Sequence, residues 1–231
     1  MKPADIIVTV ASQKHIHFAQ QICDEMAASA KVRGTGIARR EPADIIQKMQ
    51  DGKAVVAYHK DGTWAGFSYV EVWSNGDYVS NSGLIVNPDF RNLGVAKRVK
   101  EEVFNLSRTK FPQAKIISLT TGLAVMKLNS NLGFLPVTYS EMSQDDDFWA
   151  GCKSCVNYEI LQLKERKNCL CTALVFDPNI ATEKTVTESA AEYKRKWKLY
   201  DRYMNIKADL LLKGREMAKK AGRSKLRMFL S

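Results

Sequence analysis

Residues 84 to 97, Leu-Ile-Val-Asn-Pro-Asp-Phe-Arg-Asn-Leu-Gly-Val-Ala-Lys, join an apolar strand to a helix through a short polar loop, which taken alone reads as an anion site or as an ordinary strand-to-helix turn. The strand pattern runs from Tyr78 to Val86 and stops before Pro88, which has no N–H to extend a ladder. A helical pattern follows and ends near Lys110. The first N–H groups of such a helix have no partner inside it, and its dipole is positive at that end. The loop carrying Arg91, Asn92, Leu93 and Gly94 is therefore a ready anion site, best suited to phosphate. Gly94 lacks a Cβ and lets the backbone of Val95, Ala96 and Lys97 approach a diphosphate closely. The Gly-Lys-Ser/Thr of a nucleotide P-loop is missing.

The rest of the chain alternates in kind. Asp5 to Ala11 reads as a strand and Ser12 to Ala30 as a helix capped by Ser12, with Ile16, Ala19, Ile22, Cys23 and Met26 on its apolar face. Two glycines within residues 31 to 40 break that helix, and Pro42 opens the next, which runs to about Met49. Ala54–His59 and Thr63–Trp73 form a hairpin across Lys60-Asp61-Gly62. Lys115 to Thr120 is a short strand, followed by a helix from about Leu123 that closes at Gly133-Phe134. Asp145 to Ser154 fits neither helix nor strand, and Cys169 to Phe176 reads as a last strand ended by Pro178. The order predicts an α/β (α+β) fold, a mixed and mostly antiparallel sheet flanked by helices.

The Arg-x-x-Gly-x-Ala loop after a strand, the following strand and helix, and the Gly133-Phe134 turn together resemble the GNAT N-acyltransferase superfamily over residues 80 to 137. The resemblance implies that the strands of Leu84–Val86 and Lys115–Thr120 splay apart. It implies that Leu84, Ile85, Val86 and the residues from Arg91 to Lys97 bind the pantetheine and diphosphate of an acyl-CoA. Further segments resemble the acyltransferase domain of N-acetylglutamate synthase and stand-alone bacterial GNAT proteins of arginine biosynthesis. These are Gly36-Ile37-Ala38-Arg39-Arg40, Leu119-Thr120-Thr121, Gly133-Phe134-Leu135-Pro136-Val137 and Arg166-Lys167. They imply glutamate as acceptor, with Arg33, Arg39, Arg40 and Thr121 around it. Guanidinium forks suit its carboxylates because they bind bidentately and keep their proton. One departure stands out: Gly122, Leu123 and Ala124 occupy the region where the synthases carry an Arg and a Ser, so acetyl-CoA and succinyl-CoA both remain as donors. Another small amine is the alternative acceptor.

The chemistry implied is direct transfer from a thioester to an amine. Main-chain N–H groups on the Leu84–Val86 strand are the expected oxyanion donors, and Glu71 is the candidate general base. Many GNAT enzymes place a proton-donating Tyr where this chain has Asn129. An amide hydrogen-bonds the thiolate or pantetheine but delivers no proton. Tyr139 is the substitute acid, or the thiolate leaves unprotonated, its pKa being about 8–9.

Cys152-x-x-Cys155 and Cys169-x-Cys171 offer two thiolate pairs to one structural zinc, the second pair sharing a strand face. Packing as buried thiols and a redox Cys-x-x-Cys are the other readings. His15, His17 and His59 show no ligand spacing.

The 231 residues carry a net charge of +10, and residues 182 to 231 hold 14 Lys/Arg against 6 Asp/Glu. Basicity thus belongs to a C-terminal stretch. Its stripe of Tyr193, Trp197, Tyr200 and Met204 reads as a helix packed on its own chain or a sister subunit, which points to a homo-oligomer. A non-catalytic acyl-CoA-binding regulator whose tail meets nucleic acid is the rival from another class. No run of 18 apolar residues occurs, so neither membrane span nor signal peptide is expected and the setting is cytoplasmic. The domain reading is 1–178 for the acyltransferase unit, with a Cys-containing insertion at 141–172, and 179–231 for a basic helical extension.

Overall fold

A computed structural model describes residues 5–33, residues 39–180 and Arg202. The elements are β1 (Ile6–Val10), α1 (Ala19–Arg33), α2 (Pro42–Gln50), β2 (Ala54–His59), β3 (Trp64–Trp73), β4 (Tyr78–Val86), α3 (Val95–Lys110), β5 (Lys115–Thr120), α4 (Leu123–Asn131), β6 (Leu135–Pro136), α5 (Asp146–Ala150), α6 (Tyr158–Leu163) and β7 (Thr172–Phe176). Seven strands form one sheet in the order β1-β2-β3-β4-β5-β7-β6. Every neighbouring pair is antiparallel except β4 with β5. This is the expected mixed sheet.

Strand alternation decides which helix covers which face. Val56, Phe67, Tyr69 and Ile85 point to one side and pack with Ile22 and Met26 of α1 and Ile45 and Met49 of α2. On the other face α3 packs closely enough that a Cβ on Gly66 would lie 2.9 Å from Val95 Cγ1. Beyond β5 the first face is roofed differently. Tyr139, Met142, Phe148, Trp149 and Leu161 cover Ile117, Ala173 and Val175.

Three local expectations change. The helix expected from Ser12 begins as a 3-10 turn over Gln13–Phe18 before α1. Residues 145 to 154 contain the short helix α5, because the Asp145 carboxylate accepts the Asp147 amide as an N-cap and the Ser74 amide from across the sheet, both at 2.9 Å. The last strand begins at Thr172, so Cys169 and Cys171 lie in the loop before it. Gly36 to Ala38 and, apart from Arg202, the basic C-terminal stretch with its aromatic stripe lie outside the described residues.

Candidate active site

The parallel pairing of β4 with β5 lasts only three positions, Tyr78↔Lys115, Val79↔Ile116 and Ser80↔Ile117. Past Ser80 the strands separate. The gap opens into a cleft of about 270 Å³ walled by Ser82, Gly83 and Leu84 on one side and Ser118, Leu119 and Thr120 on the other. A β-bulge shapes the first wall. Tyr69 pairs with Ser82 and Phe67 with Ile85, so Gly83 and Leu84 together oppose Ser68 alone. Gly83 adopts φ +65°, and a Cβ there would lie 2.5 Å from the Tyr69 ring. Only glycine fits this position.

The loop before α3 follows the C-terminal end of β4. Gly94 takes φ +76° and its carbonyl accepts the amide of Arg98, the first turn of the helix, at 3.2 Å. The amides of Val95, Ala96 and Lys97 precede that first helical bond and are the free donors of the helix start. Asn92 is also left-handed, with φ 64°. The Arg91 guanidinium turns toward α1, donating to Glu25 at 2.9 Å and Ser29 at 3.3 Å. It braces the loop through that contact. Lys97 pairs along the helix surface with Glu101 at 3.7 Å.

Beside β4, β3 presents Tyr69, Glu71 and Trp73 on the face shared by Ser80 and Ser82. Arg40 reaches this wall: its Nε donates to the Tyr69 hydroxyl and its Nη1 to the Arg39 carbonyl at 3.2 Å. Burial opposes the Arg40 charge, but Tyr69 and the Glu71 and Asp44 carboxylates outweigh it and raise the pKa. Burial pushes the Tyr69 phenol up to about 12, so Tyr69 remains protonated at physiological pH. Glu71 is bound by Lys48 at 2.8 Å. Arg40, Glu71, Leu84 and Thr121 all line the cleft. Arg39 does not: its side chain is 81% exposed and pairs with Glu41 at 3.2 Å, while its amide donates to Ser154. Arg33 ends α1, and its side chain lies outside the described residues.

Two expected catalytic side chains fall elsewhere. Asn129 is fully buried and donates to Ser118 Oγ at 2.9 Å, leaving its Oδ1 without a partner. It meets the cleft only through Ser118, because α4 packs it under β5. Tyr139 lies in a 3-10 turn rather than on a strand, and its hydroxyl donates to the Cys171 carbonyl at 3.0 Å. Burial and neighbouring thiols push its pKa up, which makes it a poorer acid than a free phenol.

The four-thiolate zinc site is not formed. All four cysteines border one apolar void of about 20 Å³ beside Tyr139 and Trp149. Among the described residues, however, no three His, Cys, Asp or Glu side chains are placed to hold a metal ion. Cys169 and Cys171 lack the strand that would have aligned them, and burial pushes the Cys152 thiol up to about 11, so it stays protonated.

Sequence reasoning missed Trp73, Ser80, Ser82, Gly83 and Phe148 as cleft residues. The signal for the bulge was present, since a glycine inside an otherwise regular strand marks one. Phe148 carried no signal, because its place depends on how residues 139–169 fold back over β5.

No protein-family model matches the chain, and a search of curated proteins gives no match. Solved structures do resemble it. N-acetylglutamate synthase from Neisseria gonorrhoeae, complexed with coenzyme A and N-acetyl-glutamate, gives a TM-score of 0.52 at 13% identity, covering 74% of this chain and 35% of that one. The Mycobacterium tuberculosis protein Rv2747 in complex with CoA gives 0.52 at 15% identity, covering 74% of this chain and 98% of that one. YncA from Salmonella typhimurium with its cofactor acetyl-CoA gives 0.52 at 11% identity, covering 75% and 94%. The chain thus spans about a third of the synthase chain and nearly all of the other two.

Proposed function

We propose that this chain, which has the GNAT fold, is an acyl-CoA-dependent N-acyltransferase acting on the α-amine of a carboxylate-bearing amino acid, L-glutamate first among them. The observation that carries the reading is the gap between β4 and β5 after Ser80 and Ile117. The α3 N-terminus follows the C-terminal end of β4 in the chain, and Arg40 lines the cleft. A thioester carrier laid in the gap would set its diphosphate on the amides of Val95 to Lys97. Its pantetheine would run beside Leu84 to Val86, on the strand edge away from β3, in place of the missing β5 ladder. The Nη groups of Arg40 are the fork for an acceptor carboxylate, with Thr121 beside it. The catalytic unit is assigned to residues 1–178, with 141–172 as the insertion that roofs the cleft.

In the reaction, the amine attacks the thioester carbonyl and the thiolate leaves. Holding both reactants in the cleft supplies the main advantage, since positioning converts a bimolecular step into an intramolecular one. Glu71 is the one carboxylate among the described cleft residues and would receive the ammonium proton, with Lys48 holding it in place. Asn129 would steady Ser118 rather than touch the thiolate, which would then take its proton from water.

The test is an acceptor screen across the amino acids with acetyl-CoA and succinyl-CoA, read as thiol release. Glutamate-dependent release with acetyl-CoA is expected. Thermal unfolding with CoA gives a separate readout: about 2.7 kcal/mol of stabilisation at 100-fold Kd. If CoA leaves the Tm unmoved and no amino acid stimulates thiol release, the proposal fails.

A further inference from the structure

Three side chains in the cleft wall form a hydrogen-bond chain whose first step, from an indole N–H, has its direction set by chemistry. Trp73 Nε1 lies 2.9 Å from Ser80 Oγ. Ser80 Oγ lies 3.0 Å from Ser82 Oγ. An indole N–H only donates, and a serine hydroxyl owns a single proton. Ser80 therefore accepts from Trp73, and its own proton is free for Ser82. Either hydroxyl can donate in that bond; with Ser80 as the donor, Ser82 accepts and turns its own proton away from it. Its carbonyl is already occupied by the Ser68 hydroxyl at 3.0 Å. What lies in front of Ser82 is the open gap, because it stands two residues past the last β4–β5 pair and directly before the bulge.

The origin of the chain is fixed as well. Ser80 is buried, and the Trp73 ring is held edge-on against Phe148 at 5.5 Å. Hydrogen bonds in series polarise one another, so the terminal hydroxyl is a better donor than an isolated serine. A donor fixed before the reaction begins stabilises charge that appears only in the transition state.

We propose that Ser82 is a catalytic hydrogen-bond donor to the thioester carbonyl oxygen, with Trp73 and Ser80 as its positioning residues. The proposal rests on the acyl-transfer reading above and adds a side-chain donor to the main-chain ones. As the amine nitrogen bonds to the carbonyl carbon, the C=O pair moves onto oxygen, and the Ser82 O–H hydrogen-bonds that oxyanion without giving up its proton. The pair then returns, the C–S bond breaks and the thiolate leaves. The excess proton on nitrogen passes to Glu71 or water, and water protonates the thiolate, so acyl-CoA and amine become amide and free CoA.

The experiment compares kcat and KM of the full-length wild type, S82A, W73F, S80A and the S82A/W73F double variant. S82A should lower kcat roughly 10- to 100-fold, somewhat less than the 100- to 1,000-fold for a principal oxyanion donor, with both KM values little changed. W73F keeps the ring but loses the N–H, and it should also lower kcat. The double variant should be no slower than S82A, because Trp73 acts only through Ser82. If W73F fails to fold, S80A breaks the same chain, and an unshifted CoA-dependent Tm certifies the fold of each variant. An unchanged kcat in S82A, additive losses in the double variant, or a rise in acceptor KM alone would each overturn the Ser82 assignment. Wild-type turnover alongside such a result leaves the transfer reading standing. No wild-type turnover with any acceptor removes both.

Discussion

Lys100 carries its ammonium group to a position only 2% exposed, beneath the α3 start, with Asn81 Oδ1 at 3.1 Å and the face of Phe134 at 5.0 Å as its company. Among the described residues no carboxylate pairs with it, and burial lowers its pKa from 10.5 to about 7. The sign follows from proton counts. Between about pH 7 and 10 the unfolded chain holds a proton that the folded chain has released, so stability rises with pH across that window. Below it the folded state carries a buried charge and the full penalty. Lys100→Met should flatten the slope of Tm against pH between 7 and 10, measured by thermal unfolding. A slope equal to the wild type's would show the amine to be solvated after all. The buried amine was not legible in the sequence, where Lys100 reads as one of several surface lysines on a basic helix. Arg40 was legible, but only through resemblance. Its separation from Arg39 was not, because that depends on Tyr69 lying within reach of one guanidinium and Glu41 of the other. Arg40→Lys keeps the charge and loses the fork. Under the proposed function it should raise the acceptor KM about ten- to a hundredfold, matching about 1.5–3 kcal/mol for a charged hydrogen bond. The CoA-dependent Tm shift should stay unchanged.

Among the elements, β4 carries the most consequence. Its bulge exists because Gly83 alone tolerates the φ and the closeness of the Tyr69 ring. Gly83→Ala should lose about 1–2 kcal/mol from the backbone conformation and more as Tyr69 is pushed aside. Tyr69 also holds Arg40, so acceptor binding should weaken along with stability. Urea denaturation and acceptor KM measure the two effects, and a variant altered in neither would show that the bulge relaxes freely. The long strands and helices were readable because their apolar period is unbroken across a full element. The failures came where a run was short. Cys169-Leu170-Cys171 is apolar enough to extend a strand, yet β7 starts only at Thr172. β6 keeps just Leu135 and Pro136, and proline at the sheet edge leaves no N–H to continue the ladder.

At the scale of the molecule, the order of elements and the mixed sheet followed from the sequence pattern, since each element's periodicity agreed with its neighbours. The covering of β5 and β7 did not follow. Residues 139 to 169 carry no regular period, and their roof is assembled from Tyr139, Phe148, Trp149 and Leu161 contacts distant in sequence from the strands they cover. Among the described residues no helix is long and apolar enough to cross a membrane.

The sheet is stitched across its middle by three register positions alone. Strands β1 to β4 lie on one side of this join and β5 to β7 with their aromatic lid on the other, within one compact unit. A rod-shaped guest threaded through the opening would act as a splint, lending both margins backbone partners that neither gives the other. Amide hydrogen exchange should then slow on Leu84 to Val86 and on Ser118 to Thr120 together when CoA is added. Protection confined to one margin would mean that the guest does not bridge the two strands.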